Sequence, residues 1–301
     1  MRVVVTGAAG FLGRALVRHL ACHGTVVGID RAAQTPRPGL VPVTADLLDG
    51  DPLVHEALAD ADAVFHLAGS TDVRDQRPDA AERRHRDNVL ATETVLDAVP
   101  MRTRLLVTSS SSVYGGSRPG RPSTENDTPR PLGTYASSKL AVERRCARRH
   151  AAGGDVLVVR PFTVAGEGQR PGMGLARWIE SARAGRPLRL LGSPERTRDL
   201  TDVMQVVRAL AELAQAEATG TVNLGTGVGH SLAGMAAAVG RVLGVEVVTD
   251  VVPAPRVDVA HTLADTRRLR EVLGWVPRTD LAELIARQAA ATTDPVLAPA
   301  G

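Results

Sequence analysis

The sequence predicts a doubly wound α/β protein: a parallel sheet with helices on both faces and a smaller C-terminal lobe that binds substrate. Three observations lead there. Valine-rich runs alternate with helical patterns through the first half of the chain. Those runs are nearly continuous in apolar residues, as strands covered on both faces require. A glycine-spaced loop also joins the first run to the first helix.

The strands are read in order as RVVVT (2–6), TVVGID (25–30), LVPVTA (40–45), AVFHLA (63–68), RLLVTS (104–109) and DVLVVR (155–160). The first helix follows its strand, with Leu12, Leu16 and Leu20 on one stripe and Arg14 and Arg18 off it. Gly24 suits its C-terminal stop. In the second half, residues 160–174 read as a Gly/Pro loop, 187–192 as a strand and 199–216 as a helix. Residues 220–227 read as strand then turn, helices are expected near 231–243, 266–273 and 280–291, and the tail 292–301 as frayed. The expected division is a dinucleotide-binding domain over 1–161, rejoined by about 200–226, and a substrate lobe over 162–199 and 227–301.

Bulk properties exclude several classes. The chain has 301 residues, 44% hydrophobic and 23% charged, which suits a soluble globular protein. No apolar run reaches the roughly 18 residues of a membrane span, and no signal peptide is visible. Cys22 and Cys146 are too few for a disulfide framework, which points to a reducing, cytoplasmic setting. Net charge is only +3. The basic clusters at 82–86 and 143–150 read as solvated helix faces, and without stacking aromatics nearby they do not suggest nucleic-acid binding. No His/Cys cluster has metal-ligand spacing: His19 and His23 lack a third ligand.

The loop VTGAAGFLG places Gly7, Gly10 and Gly13 between strand and helix. Such glycines permit a tight turn and let backbone approach a pyrophosphate at the N-terminus of the helix. Asp30, ending the second strand, suits the ribose hydroxyls of adenosine and repels a 2′-phosphate, favouring NAD. Its neighbour Arg31 leaves NADP open.

Lysine occurs once in the chain, at Lys139, and every other residue of the Lys/Arg set is arginine. Lys139 stands four residues after Tyr135, one of only two tyrosines, so on a helix the two share a face. Lowering a phenol from about 10 to about 7 needs roughly 4 kcal/mol. A fixed cation ~4–5 Å away at an effective dielectric near 20 supplies on the order of 3–4 kcal/mol. A compact ammonium suits this task, and its remaining donors can hold ribose hydroxyls. The run TSSSSVYGG (108–116) begins where a strand ends, at the edge that lines the crevice of an open parallel sheet.

Together TGAAGFLG, GID, ADL, HLAG, NVLAT, SSSSVYG, YASSK, RPF, RDL, NLGTG and LGW resemble the extended short-chain dehydrogenase/reductase family, nucleotide-sugar epimerases and dehydratases in particular. The resemblance runs along nearly the whole chain. It implies a Rossmann-like domain and a catalytic set of Ser110, Tyr135 and Lys139, with Tyr135 as acid/base and Lys139 its activator. The cofactor set it implies is Gly7, Gly10, Phe11, Leu12, Gly13, Asp30, Arg31, Asp46, Leu47, Leu67, Ala68, Gly69, Thr108, Tyr135, Lys139, Pro161 and Thr163. Substrate contacts would come from Ser111, Ser112, Thr163, Arg198 and Arg256, the arginines on the nucleotide diphosphate. His66 would pack near the cofactor, and Asn88 would bond neighbouring backbone.

Departures from the family pattern bear on the reaction. Ser111 and Ser112 stand where sugar 4,6-dehydratases carry an Asp-Glu pair, which argues against that dehydration. Thr163 replaces a usual Asn, and Gln205 an expected Asp. The expected function is NAD-dependent C4 epimerisation of a UDP- or dTDP-linked sugar through a transient 4-keto sugar. The alternatives are a 4-ketoreductase using NAD(P)H and a non-catalytic dinucleotide-binding module. A homodimer, paired through helices 76–99 and 135–152, is the expected assembly.

Overall fold

In the computed structural model, residues 2–75, 77–170 and 172–291 are described, and the tail expected to fray lies outside them. The elements follow the alternation of apolar runs. Strand β1 (Val3–Thr6) leads to helix α1 (Phe11–Ala21), then β2 (Val26–Asp30), β3 (Leu40–Thr44), α2 (Pro52–Ala59) and β4 (Ala63–His66). Next come α3 (Ala80–Arg84), a π-helical turn at His85–Leu90, and α4 (Ala91–Ala98). Then follow β5 (Arg104–Thr108), a short turn at Ser111–Tyr114, α5 (Gly133–Ala151) and β6 (Val156–Pro161).

Six of these strands join a seventh, β10 (Gly220–Leu224), in a sheet of order β10-β6-β5-β4-β1-β2-β3. Every pairing in it is parallel. This is a Rossmann-like sheet, and its order reverses beside β1, where the crevice of such a sheet opens. Val4, Val64, Leu105 and Leu157 are fully buried because helices cover both faces. Strand β3 differs from expectation: it is the sheet edge, and Val41 is exposed, because only one neighbour pairs with it. Helix α1 ends before Gly24, its last turn closed by the His23 N–H on the Leu20 carbonyl at 2.9 Å.

Between β6 and β10 the chain leaves the sheet. It forms β7 (Thr163–Ala165), α6 (Gly174–Arg183), β8 (Leu188–Leu191), β9 (Thr197–Asp202) and α7 (Val203–Leu213). After β10 come β11 (Gly229–Ser231), α8 (Leu232–Leu243), β12 (Thr249–Val252), α9 (Arg267–Leu273) and α10 (Leu281–Ala291). Residues 199–202, expected to be helical, are strand instead. They pair with β7 and β11, and Asp202 caps α7 by accepting from the Met204 N–H at 2.8 Å. Part of the segment expected as loop is likewise strand, at β7.

Helix α7 returns to the large sheet, and Val206, Leu210 and Leu213 join the core under α1. Helices α6, α8 and α10 form a separate apolar core around Ile179, Leu188, Val239 and Ile285.

The basic clusters are not wholly solvated. Arg149 is buried and its guanidinium donates to the carbonyls of Leu96, Val99 and Pro100 at 2.6–2.8 Å. It thereby satisfies the C-terminal carbonyls of α4. Arg84 is buried too.

Candidate active site

A cleft of about 980 Å³ runs from the glycine loop to the second core. Its dinucleotide end is built by β1 and the turn after it. Gly7 has φ of +71°, and a Cβ there would lie 2.6 Å from the Ala68 N. A Cβ on Gly13 would lie 2.0 Å from the Gly7 carbonyl oxygen. Only glycine fits at either place. No side chain caps α1, so the first N–H groups of that helix remain for an anion. One oxygen of Asp30 accepts from the Ala9 N–H and the other from the Ala32 N–H, each at 2.9 Å. Its carboxylate therefore braces the glycine loop while standing at the ribose end. This cradle fits a dinucleotide pyrophosphate.

Beneath the loop, a chain of hydroxyls and a histidine ties β1 to the π-helical turn. Thr6 Oγ1 lies 2.7 Å from His66 Nδ1, and His66 Nε2 lies 3.0 Å from Thr92 Oγ1. Thr92 donates to the Asn88 carbonyl, so its oxygen accepts from the His66 Nε2–H, and Thr6 donates to Nδ1. Burial pushes the His66 pKa down to about 3, with the Lys139 charge adding to the effect. His66 is thus a neutral structural link.

Asn88 does more than its sequence suggested. Its amide accepts from the Ser70 N–H at 2.7 Å and donates to Ser138 Oγ at 2.8 Å. One side chain so fixes the loop after β4 to helix α5.

The catalytic end is set by α5 and the turn after β5. Tyr135 and Lys139 are both buried on the cleft face of α5. Ser110 starts the turn, its Oγ accepting from the Ser112 N–H at 3.1 Å, and it lines the same cleft wall as Tyr135. Burial raises the Tyr135 pKa, while the neighbouring Ser110 hydroxyl and the charges of Arg84 and Arg170 work the other way. Lys139 Nζ donates to the Thr108 carbonyl at 2.9 Å, and burial lowers its own pKa to about 8.

Below lies a buried network that sequence reading passed over. Arg160 donates to both oxygens of Glu143 at 2.8 and 2.6 Å, and Ser109 Oγ donates to Glu143 at 2.5 Å. Arg160 also donates to the Tyr114 hydroxyl, which donates to Asn223 Oδ1 at 2.6 Å. The signal available was the chemistry of Arg in RPF and Glu in AVERR, both on runs otherwise apolar on that face.

The structure brings Gly7, Gly10, Phe11, Leu12, Gly13, Asp30, Arg31, Asp46, Leu47, Leu67, Ala68, Gly69 and Thr108 to the cleft. Ser110, Ser111, Ser112, Tyr135, Lys139, Pro161, Thr163 and Arg198 also line it. Arg256 does not: it is exposed, and its neighbours Val257 and Asp258 take the wall instead. Asp258 holds Arg74 at 3.1 Å and Arg198 at 3.3 Å, so two arginines are gathered at that end.

The sequence profile of the NAD dependent epimerase/dehydratase family matches residues 3–225. UDP-glucose 4-epimerase of Mycolicibacterium smegmatis is 32% identical, over 95% of this chain and 97% of that protein. GDP-6-deoxy-D-mannose reductase of Pseudomonas aeruginosa is 33% identical, over 92% of each. A structure of MoeE5 in complex with UDP-glucuronic acid and NAD matches at 37% identity and a TM-score of 0.87, over 97% of this chain and 99% of that one.

Proposed function

From its membership in the NAD-dependent epimerase/dehydratase family, to which this chain belongs, we propose that it is an NAD-dependent UDP-sugar 4-epimerase whose sugar carries a C6 carboxylate. The observation that carries the reading is the placement of Ser110 and Tyr135 together on the wall of a cleft that opens onto the dinucleotide cradle. Bound NAD supplies the hydride acceptor and donor.

Tyr135 takes the proton of the C4 hydroxyl, and Ser110 hydrogen-bonds the same oxygen. The 4-keto sugar turns within the cleft and is reduced on its other face, Tyr135 returning the proton. Lys139, with donors to spare beyond Thr108, holds the nicotinamide ribose, and Arg198 meets the diphosphate. No acid adjoins Ser111 and Ser112. Of the acidic residues lining the cleft, Asp30, Asp46 and Asp87 belong to the adenosine end and Asp258 to the arginines, while Asp72 accepts from the Arg74 N–H in its own loop. Elimination across C5 and C6 therefore lacks its acid and base.

The carboxylate preference rests on cations and hydroxyls. Arg170 lines the cleft and donates to Thr71 Oγ1 at 3.2 Å, and among the described residues no carboxylate pairs with it. Ser112 Oγ is buried without a partner. These groups suit a sugar carboxylate. UDP is favoured over dTDP because the similar structure named above holds a UDP-sugar.

The lobes divide the work as 1–161 with about 200–226 for the dinucleotide, and the remainder for the sugar. A homodimer through helices 76–99 and 135–152 in the cytoplasm completes the reading, with both cysteines free. Among the described residues no helix is long and apolar enough to cross a membrane.

The test is proton NMR of purified enzyme with UDP-glucuronic acid. A C4 epimer is expected, formed without added cofactor, and Tyr135→Phe lowers the rate by about 10²–10⁴-fold. Net consumption of NAD(P)H with a 4-keto sugar and no epimerisation would select the ketoreductase reading, which the P. aeruginosa relative favours.

A further inference from the structure

Arg84 is an arginine buried to 3% relative exposure, and among the described residues it pairs with no carboxylate. Burying a guanidinium on neutral acceptors is costly, so such a charge is retained for a use. Its hydrogen bonds say what it joins. It donates to Thr134 Oγ1, the residue before Tyr135. It also donates to the carbonyls of Asp72 and Asp75, the latter at 3.1 Å, on the loop that lines the sugar end of the cleft. Its Nε is buried without a partner.

We propose that Arg84 is a positioning residue of the reaction: it fixes the cleft loop to the first turn of the tyrosine helix and sets a permanent positive charge behind the phenol of Tyr135. The role rests on the reading of Tyr135 as acid/base. It divides between two cations what was expected of one. Lys139 is bonded to the Thr108 carbonyl, and Arg84 adds its charge from beside the first turn of α5.

The charged groups around Tyr135 agree with this. Lys139 lies one turn on along α5, Arg84 comes from α3, Arg170 from the loop after β7, and the Ser110 hydroxyl from the end of β5. On the loop after β4, Asp75 is held by Arg77 and Arg83, and Asp72 by the Arg74 N–H. The nearby Glu143 is neutralised by Arg160. The cationic influences Arg84 and Arg170 both favour the ionised phenol against its burial.

The test is an ultraviolet titration of the NAD-loaded protein. Only two tyrosines are present, and burial pushes Tyr114 up to about 12, so the phenolate signal that disappears in Tyr135→Phe is assigned to Tyr135. Arg84→Met and Arg84→Gln are expected to raise the midpoint by about one pH unit, and Arg84→Lys to hold it within a few tenths. The acid limb of the epimerisation rate moves with the midpoint. If Arg84→Met does not fold, the Gln and Lys variants decide between charge and scaffold. A midpoint unmoved in the neutral variants, or moved equally by Lys, overturns the proposal. Because the titration uses no substrate, its failure is separate from a failure to find epimerisation.

Discussion

The guanidinium of Arg31 is clamped on both oxygens of Asp87, at 3.1 and 3.3 Å. The same aspartate accepts from Arg86 at 3.0 Å, and Asp46 accepts from Arg86 at 2.8 Å. Two arginines at the adenosine end are thus neutralised by two aspartates. Arg31, which left NADP open in the sequence, has its charge spoken for. NAD is expected to bind more tightly than NADP. Asp87→Ala releases Arg31 and is expected to narrow that preference by about tenfold, equal to roughly 1.4 kcal/mol. Calorimetric Kd values for both dinucleotides check it, and an unchanged ratio would mean that Arg31 does not face the 2′ position.

Arg170 separates acidic from neutral sugars. Arg170→Ala is expected to raise KM for UDP-glucuronic acid by about tenfold or more, as loss of a charge-assisted bond would, and to leave the KM for UDP-glucose nearly unchanged, while its effect on the Tyr135 phenol falls on kcat for both sugars alike. Steady-state kinetics with both substrates decides. Equal rises of KM on the two would remove the case for a carboxylate.

Glu143 and Arg160 form a bidentate pair with little exposure on either side chain. Truncating one partner strands the other's charge, at a cost of about 3–5 kcal/mol. Arg160→Met is therefore expected to lower Tm sharply. Replacing both residues with apolar ones is expected to cost less than the sum of the single changes. Thermal unfolding of the two singles and the double measures this, and additive losses would show that the pair is not coupled.

His66 predicts a pH dependence of stability. Its folded pKa is pushed down to about 3 by burial, against an ordinary value near 6.5. Between those values the unfolded chain holds a proton the folded chain does not, so stability falls as pH drops through that window and is full above 6.5. The loss is on the order of a few kcal/mol at its acid end. His66→Gln is expected to be less stable at neutral pH and to show a flatter fall of Tm between about pH 6.5 and 4.5. Parallel slopes for the two proteins would assign the acid sensitivity elsewhere.

Gly7 tests the cradle. Gly7→Ala puts a methyl 2.6 Å from backbone at a φ of +71°, so the turn must move. NAD retention after purification is expected to be lost, with far-ultraviolet circular dichroism retained.

The large sheet was legible because its strands are runs of buried valine and its first turn needs glycine. The central strands fall within a residue or two of their expected bounds. Strand β9 was not legible. TRDLTD is short and half polar, it adjoins a strongly apolar helix, and only distant partners in β7 and β11 make it a strand. The exposure of β3 depends on its place in the sheet order, which local composition does not encode. At the site, positions tied to a motif all reach the cleft, whereas Arg256, placed by likeness in the loop after β12, is exposed. Arg84 and Arg149 sit in charge runs that look solvated. Their burial follows from loop carbonyls and a helix end that reach them from elsewhere in the chain.

The order in which β10 and α7 appear along the chain has a consequence during synthesis. The outer strand beside β6 is made only after the chain has gone out to build α6, β8 and β9 and come back. Until residue 224 has cleared the ribosome, β6 presents an open hydrogen-bonding edge, and until α7 docks the apolar side of α1 has no cover. A nascent chain halted near residue 161 would therefore expose an unpaired strand edge and an uncovered apolar helix face, the features that make a partly made chain prone to aggregate.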